Sequence, residues 1–220
     1  MHHPQDLISL KSLLPSTEKV LVKLSETEIV KDFTFVGGSA LAVYLNHRKS
    51  EDIDLFTHNS ELDLQCIQQT LTHLFKENIE LINFNKQQAD YICEDVKITF
   101  FANNWHKLTH SKPLINNLNI ANLDLLAGMK INTIFLRAKY RDYYDLYVLN
   151  KEKIHLKQLY DIAQTYVPAI NARLFQTALI FVDDIEDDNI EHLSPKYKIS
   201  KQKISKHFEN EIKKWLKNLV

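Results

Sequence analysis

Asp52 and Asp54 are separated by a single residue in the run Asp52-Ile53-Asp54-Leu55-Phe56. On a strand, both carboxylates project to one face while Ile53 and Leu55 project to the opposite, buried face. Two adjacent carboxylates repel unless a cation lies between them, and hard oxygen ligands suit Mg²⁺, with Mn²⁺ as an alternative. Such an ion also binds substrate phosphates. The competing reading is a half-exposed strand whose acids face water. Ahead of the pair, Gly37-Gly38-Ser39 joins the apolar run Phe33 to Val36 to the segment from Ala40 to Leu45. The chain has only 3 glycines in 220 residues, so a glycine pair marks a place that needs backbone freedom or close approach. A strand that turns into a helix there offers free amide N–H groups and the positive end of the helix dipole to a phosphate. A tight turn capped by Ser39 would use the same residues. Neither GxxxxGK[ST] nor GxGxxG occurs, which disfavours Walker-type and dinucleotide sites.

The third glycine, Gly128, stands two residues before Lys130. Leu123, Ala127, Lys130 and Ile134 share one helix face, and Leu125, Leu126, Met129, Ile131 and Leu136 make most other faces apolar. A lysine in so apolar a helix is buried, and a buried ammonium needs a carboxylate such as Asp145 or a ligand phosphate. Arg137, Lys139 and Arg141 form a basic turn before Asp142 and Asp145, which lie on one helix face. Capping by Asp142 and ordinary ion pairs would explain that segment without a ligand. The histidines form no HExxH set, and the one HxxxH spacing, His106 to His110, comes without a third ligand in its motif; His47 and His58 flank the acidic strand within reach of a phosphate, and most of the others read as surface residues.

The elements that must position these groups follow from patterning. Ser16 is placed to cap a helix reaching about Val30, and Asn59 and Ser60 a helix carrying Leu62, Leu64, Ile67, Leu71, Leu74 and Phe75. Strands are expected at 33–36, 52–56, 79–85, 90–93 and 95–102, then helices at 122–137, 141–149, 155–166, 169–182 and 200–219. Strands early and helices late predict an α+β fold: a mixed β-sheet flanked by helices over residues 1–120, followed by a C-terminal helical bundle over 121–220 packed on that core.

Composition sets limits. With 45% apolar and 25% charged residues the chain is an ordinary globular protein, and a net charge of −1 leaves nucleic-acid binding to a local basic patch. One such patch is the lysine-rich tail, where Ile204, Phe208, Ile212, Trp215 and Leu219 form the apolar side of a helix. Cys66 and Cys93 make neither a CxxC pair nor a disulfide framework. No basic leader and no membrane-length apolar run is visible, so a cytoplasmic protein without membrane contact is expected.

The segment GGSALAVYLNHRKSEDIDLF resembles the first motif of the AbiEii/AbiGii-type nucleotidyltransferases, a minimal branch of the DNA polymerase β-like superfamily. The segment LDLLAGMKINTIFLRAKYRDYYDLYVL is similar to that family's later motif, a lysine on a helix before a basic turn and an aspartate-rich helix. The resemblance implies a minimal nucleotidyltransferase domain and a magnesium-dependent transferase that moves a nucleoside monophosphate from an NTP to a hydroxyl acceptor. It implies that Gly37, Gly38 and Ser39 hold the triphosphate and Asp52 and Asp54 the metal. Lys130 would neutralise phosphate charge, oriented by Asp145, and Arg137, Lys139 and Arg141 would contact acceptor or phosphate. It further implies a toxin of a toxin–antitoxin or phage-defence pair, with RNA or tRNA as acceptor and an antitoxin as partner. The superfamily's usual third acid falls at Thr99, and Asp95 is too far along the strand to replace it. That departure keeps open a non-catalytic nucleotide-binding regulatory module, and a nucleotidyltransferase that modifies a protein is a separate alternative.

Overall fold

The computed structural model describes residues 9–102, 111–186 and 189–217, and the chain divides into two units, Met1–Asn122 and Leu123–Val220. In the first unit a seven-stranded sheet is made of β1 (Thr34–Val36), β2 (Ile53–Thr57), β3 (Ile79–Phe84), β4 (Gln88–Cys93), β5 (Val96–Ala102), β6 (Ser111–Ile115) and β7 (Leu118–Ala121). Its order is β3-β4-β5-β2-β1-β7-β6. The pairs β2/β5 and β1/β7 are parallel and the others antiparallel, so the sheet is mixed and the α+β reading holds.

Strand alternation explains the placement of the core. Phe35, Leu55, Phe100 and Ala89 lie in one cross-strand row, and Ile53, Ile98 and Tyr91 in the next; all are buried. The residues between them fall on the opposite face, which is therefore available for polar groups.

Three helices accompany the sheet: α1 (Pro15–Ser25), α2 (Gly37–Leu45) and α3 (Leu64–Phe75). The start of α1 is set by Pro15, with Leu14 at the N-cap, rather than by Ser16. Pro is suited to the first helical position because it needs no N–H partner there. That helix stops at Ser25, and a separate 3₁₀ turn spans Ile29–Asp32. In α3 the cap is Asp63, whose carboxylate accepts from the Cys66 N–H at 2.9 Å, not Asn59 or Ser60. Ile67, Leu71 and Phe75, four residues apart, supply its buried side.

The hairpin of β6 and β7 lacks a clear pattern in the sequence, because Pro113 interrupts the first strand. Its place at the sheet edge makes proline tolerable. Glu94 and Asp95 both have positive φ, 47° and 64°, and form the turn between β4 and β5. Asp95 therefore precedes β5 instead of opening it.

The second unit contains α4 (Leu123–Leu136), α5 (Tyr140–Glu152), α6 (Leu156–Tyr166), α7 (Ala172–Ile180) and α8 (Lys201–Lys217). In α8, Ile204, Phe208 and Trp215 are buried while Lys203, Lys206, Lys213 and Lys214 stay exposed. Leu219 and residues 187–188 of the acidic run lie outside the described residues. Among the described residues no helix is long and apolar enough to cross a membrane.

Gly128 sits where α4 meets α6. A Cβ at this position would lie 2.3 Å from Cδ2 of Tyr166, far inside contact distance. Gly128→Ala should therefore push the two helices apart and destabilise the protein by about 1–3 kcal/mol, the usual cost of overpacking. Urea unfolding should show this as a lowered midpoint with an unchanged slope.

Candidate active site

The first unit brings the glycine pair and the acid pair together through backbone pairing. Val36 is in register with Asp54 across β1 and β2, and α2 begins at the next residue. Gly37 has φ +76°, and a Cβ there would stand 2.0 Å from Oδ2 of Asp54. The Asp54 carboxylate thus lies against bare backbone at the N-terminus of α2, where the helix dipole favours a negative charge. Val36 is the N-cap and offers no side chain, so the first-turn N–H groups are not capped from the cap position.

Ser39 is not a cap. It is the third residue of α2 and buried; its hydroxyl lies 2.8 Å from Oγ of Ser50 and donates to the Asp52 carbonyl. Nη1 of the buried Arg48 donates to Ser50 Oγ at 3.2 Å, and Oγ1 of Thr17 donates to the Glu51 carbonyl at 2.9 Å. These bonds hold the segment that delivers Asp52, which immediately precedes β2. Asp52 and Asp54 are half-buried, and Ile53 and Leu55 are fully buried, as strand alternation requires.

Asp54 is in register with Thr99 on β5, and Thr99 with Asp90 on β4. Paired residues share a face, so Asp54, Thr99 and Asp90 form one polar row. Oγ1 of Thr99 donates to Asp90 Oδ1 at 2.8 Å, and Nε2 of Gln88 donates to Asp90 Oδ2 at 3.0 Å. Sequence reasoning missed Asp90; the alternation of Gln88, Asp90 and Ile92 against buried Ala89, Tyr91 and Cys93 carries the signal.

His47 is fully buried, so it does not present a surface to a phosphate, and exposed His58 packs edge-on against Phe56 at 5.9 Å. Burial, followed by the charge of Glu94, pushes the Cys93 thiol up to about 12, which removes it as a nucleophile.

In the second unit Lys130, 6% exposed, has its ammonium 2.8 Å from Asp142 Oδ1 and 2.9 Å from Asp145 Oδ2. Both aspartates are completely buried. Arg137 adds two bonds to Asp142, Nε to Oδ2 at 3.0 Å and Nη2 to Oδ1 at 3.1 Å. Two cations thereby balance two anions. Asp142 is not a helix cap, since the N-cap of α5 is Lys139. Lys139 is exposed and Arg141 half-buried at the same turn. Burial alone would raise the Asp142 carboxyl, but Lys130 and Arg137 outweigh it and hold the group below its ordinary value.

Among the described residues no group of three or more histidine, cysteine, aspartate or glutamate side chains is placed to hold a metal. Asp52 and Asp54 still fit one hard divalent ion, because Mg²⁺ commonly takes one or two carboxylates and completes its shell with water and phosphate oxygens.

The profile of the nucleotidyl transferase AbiEii toxin family of type IV toxin–antitoxin systems matches residues 19–218, and the chain belongs to this family. It is thus an enzyme of the nucleotidyltransferase class. An uncharacterised protein of Aquifex aeolicus (strain VF5) is 24% identical over 214 residues, covering 95% of this chain and all of the relative. The crystal structure of a candidate nucleotidyltransferase from H. pylori is similar over 100% of this chain and 99% of its own, with a TM-score of 0.57 at 18% identity. JHP933 from Helicobacter pylori is similar over 96% and 97%, with a TM-score of 0.54 at 17% identity. At these identities the two structures support the fold.

The buried ion cluster makes a pH-dependent prediction. The Asp142 value is depressed, so its stabilising contribution is complete above the ordinary carboxylate value of 3.8 and is lost as pH falls through the lower folded value. Asp142→Asn should cost about 3–5 kcal/mol at neutral pH. The gap to the unsubstituted protein in urea unfolding should narrow only as pH drops below that ordinary value.

Proposed function

We propose that the protein transfers a nucleoside monophosphate from an NTP to a hydroxyl of RNA, with tRNA the favoured acceptor, and releases pyrophosphate. The observation that carries this reading is the closeness of the Asp54 carboxylate to Gly37, which puts the acid at the N-terminus of α2, whose cap residue makes no side-chain bond. Backbone N–H groups of Gly37, Gly38 and Ser39 are the donors for the triphosphate. Asp52 and Asp54 would hold Mg²⁺, which supplies charge neutralisation at the phosphates when bound. The acceptor oxygen forms a bond to the α-phosphorus as the α–β bridging P–O bond breaks; the acceptor proton passes to solvent and pyrophosphate leaves. Positioning and electrostatics provide most of the acceleration in phosphoryl chemistry of this kind.

The Ser39 hydroxyl, unlike its backbone N–H, acts through Asp52, whose carbonyl it holds, rather than as a direct ligand. Lys130 and Asp145 serve α4 and α5 as a balanced ion cluster, because the lysine charge is already met by two carboxylates. Lys139 and Arg141, with Arg137 tied to Asp142, are the basic groups suited to an RNA backbone. Of the exposed tail lysines, Lys206 and Lys214 pair with Glu209 and Glu211 on their own helix, which favours the turn over the tail. The family also supports an antitoxin as partner and a cytoplasmic setting.

Incubation with each α-labelled NTP, RNA and protein pools kept apart, tests the acceptor. Label in RNA supports the proposal. Label in protein selects a protein-modifying enzyme, and NTP binding without pyrophosphate release selects a regulatory module.

Asp52→Asn and Asp54→Asn should each lower Mg²⁺-dependent transfer by about 100-fold or more while leaving the melting temperature close to that of the unsubstituted protein. Retained transfer in both variants would remove the metal assignment. Ser39→Ala should lower stability by about 1–3 kcal/mol, since the Asp52 carbonyl loses its donor, and should reduce kcat more than it raises KM for the NTP.

A further inference from the structure

Asp54 is fixed from both sides of β2, in register with Val36 of β1 and Thr99 of β5. Asp52 lies outside both registers. The β1/β2 pairing ends at Asp54 because the chain turns into α2, and the β2/β5 pairing begins at Ile53. The sheet alone therefore gives the first carboxylate of the pair no defined place relative to the second.

Residues 50–52 are held instead by groups outside the sheet. The Ser50 N–H donates to the Ser12 carbonyl at 2.9 Å, and the Ser50 carbonyl accepts from the Leu14 N–H at 3.0 Å, which makes a parallel bridge between Leu13 and Ser50. The Glu51 carbonyl accepts from Oγ1 of Thr17 at 2.9 Å, and the Asp52 carbonyl accepts from the Ser39 hydroxyl. All but the last of these bonds come from one stretch of chain, the 3₁₀ turn Leu10–Ser12 and the start of α1. The same stretch reaches the far end of the loop, where Oγ of Ser12 donates to Oδ1 of Asn46, the left-handed residue that closes α2, at 3.0 Å.

These groups are built into the core. Ser12, Leu13 and Thr17 are each no more than 1% exposed. A threonine within a helix commonly turns its hydroxyl back to a carbonyl of the preceding turn. Thr17 directs its hydroxyl to a residue 34 positions away in the chain, the immediate neighbour of Asp52.

We propose that residues 10–17 form a strap that sets the Asp52 carboxylate for metal binding, with Thr17 as its positioning residue. This rests on the reading of Asp52 and Asp54 as holders of a divalent ion. Thr17 acts through the backbone of Glu51 and Asp52, not by contact with the ion. Removal of a group that orients a metal ligand in this way lowers metal affinity or activity by about 10- to 100-fold.

The test follows Mn²⁺ binding to the full chain by electron paramagnetic resonance, with and without a non-hydrolysable NTP, beside Mg²⁺-dependent transfer and the melting temperature. Thr17→Val keeps the branched shape and removes the hydroxyl. It should weaken Mn²⁺ binding by about tenfold and raise the Mg²⁺ needed for half-maximal transfer to match, with KM for the NTP at saturating Mg²⁺ little changed. Thr17→Ser returns the hydroxyl and should restore Mn²⁺ affinity. Leu14→Pro probes the strap at a second bond and serves if Thr17→Val does not fold. Leu14 has φ −65° and Leu13 has ψ 154°, which proline at residue 14 accepts, while the N–H given to Ser50 is lost. It too should weaken Mn²⁺ binding. A lowered melting temperature with unchanged Mn²⁺ affinity would leave the strap a purely structural role and overturn the proposal, as would an unsubstituted protein that binds no Mn²⁺. Mn²⁺ binding weakened by Thr17→Val in a protein that labels no acceptor supports the strap and removes the transfer reading. Transfer whose Mg²⁺ requirement is unchanged in Thr17→Val removes the strap and leaves that reading standing.

Discussion

The architecture of the first unit depends on the absence of a side chain at residue 37. β1 must end opposite Asp54, and α2 must begin at once, so the backbone at the junction passes directly over a carboxylate. A Cβ there would overlap Oδ2, at 2.0 Å, and the positive φ would strain any residue that carried one. Given that gap, the carboxylate meets the positive end of α2 instead of a methyl group. The same turn thus places first-turn N–H groups, which the N-cap residue leaves without a side-chain bond, beside a carboxylate.

A second constraint acts on the loop before β2. Acids one residue apart share a face only if the backbone carrying both is extended, yet Asp52 lies just outside the hydrogen-bonded strand. Ser39, Ser50, Arg48 and Thr17 supply the order that the sheet does not. A hydroxyl three residues into α2 therefore contributes to where a carboxylate points thirteen residues later. In the second unit the equivalent task falls to charge. Lys130 and Arg137 against Asp142 and Asp145 form a neutral cluster, so no net charge is buried between α4 and α5, although each ion alone would be costly there.

Elements with strong local patterning were legible in the sequence. β2 announced itself by alternation, α3 and α8 by apolar spacing, and α4 by being apolar around a single lysine, which made the burial of Lys130 a physical necessity. Helix starts were less legible, because Ser16, Asn59 and Ser60 have cap chemistry while Pro15 and Asp63 took the positions. β6 and β7 were hidden by Pro113, which argues against a strand until its edge location is known. The partnership of Asp142 with Lys130 was obscured by a cap signal: an acid in the first turn of a helix serves the dipole equally well. Asp90 could not be found without register, since it reaches the row of Asp54 only through pairing on both sides of β5.

That row bears on the departure at Thr99. An acid at residue 99 would stand on the strand next to Asp54, one strand spacing away, and would share a metal's coordination shell. Asp90 is one strand further, roughly 10 Å from Asp54 between backbones, beyond the reach of a common ion. Its two oxygens are engaged by Thr99 and Gln88. The face thus carries a third acidic side chain, bonded to the threonine that stands in register with Asp54. An alcohol so held has its proton committed to Asp90, so position 99 offers a hydroxyl where an acid would bring a second carboxylate beside Asp54. On the proposed transfer reading, a hydroxyl acceptor there would meet a neutral oxygen in place of a carboxylate, its deprotonation would fall to solvent, and the chemistry would rest on the charge of Asp52 and Asp54.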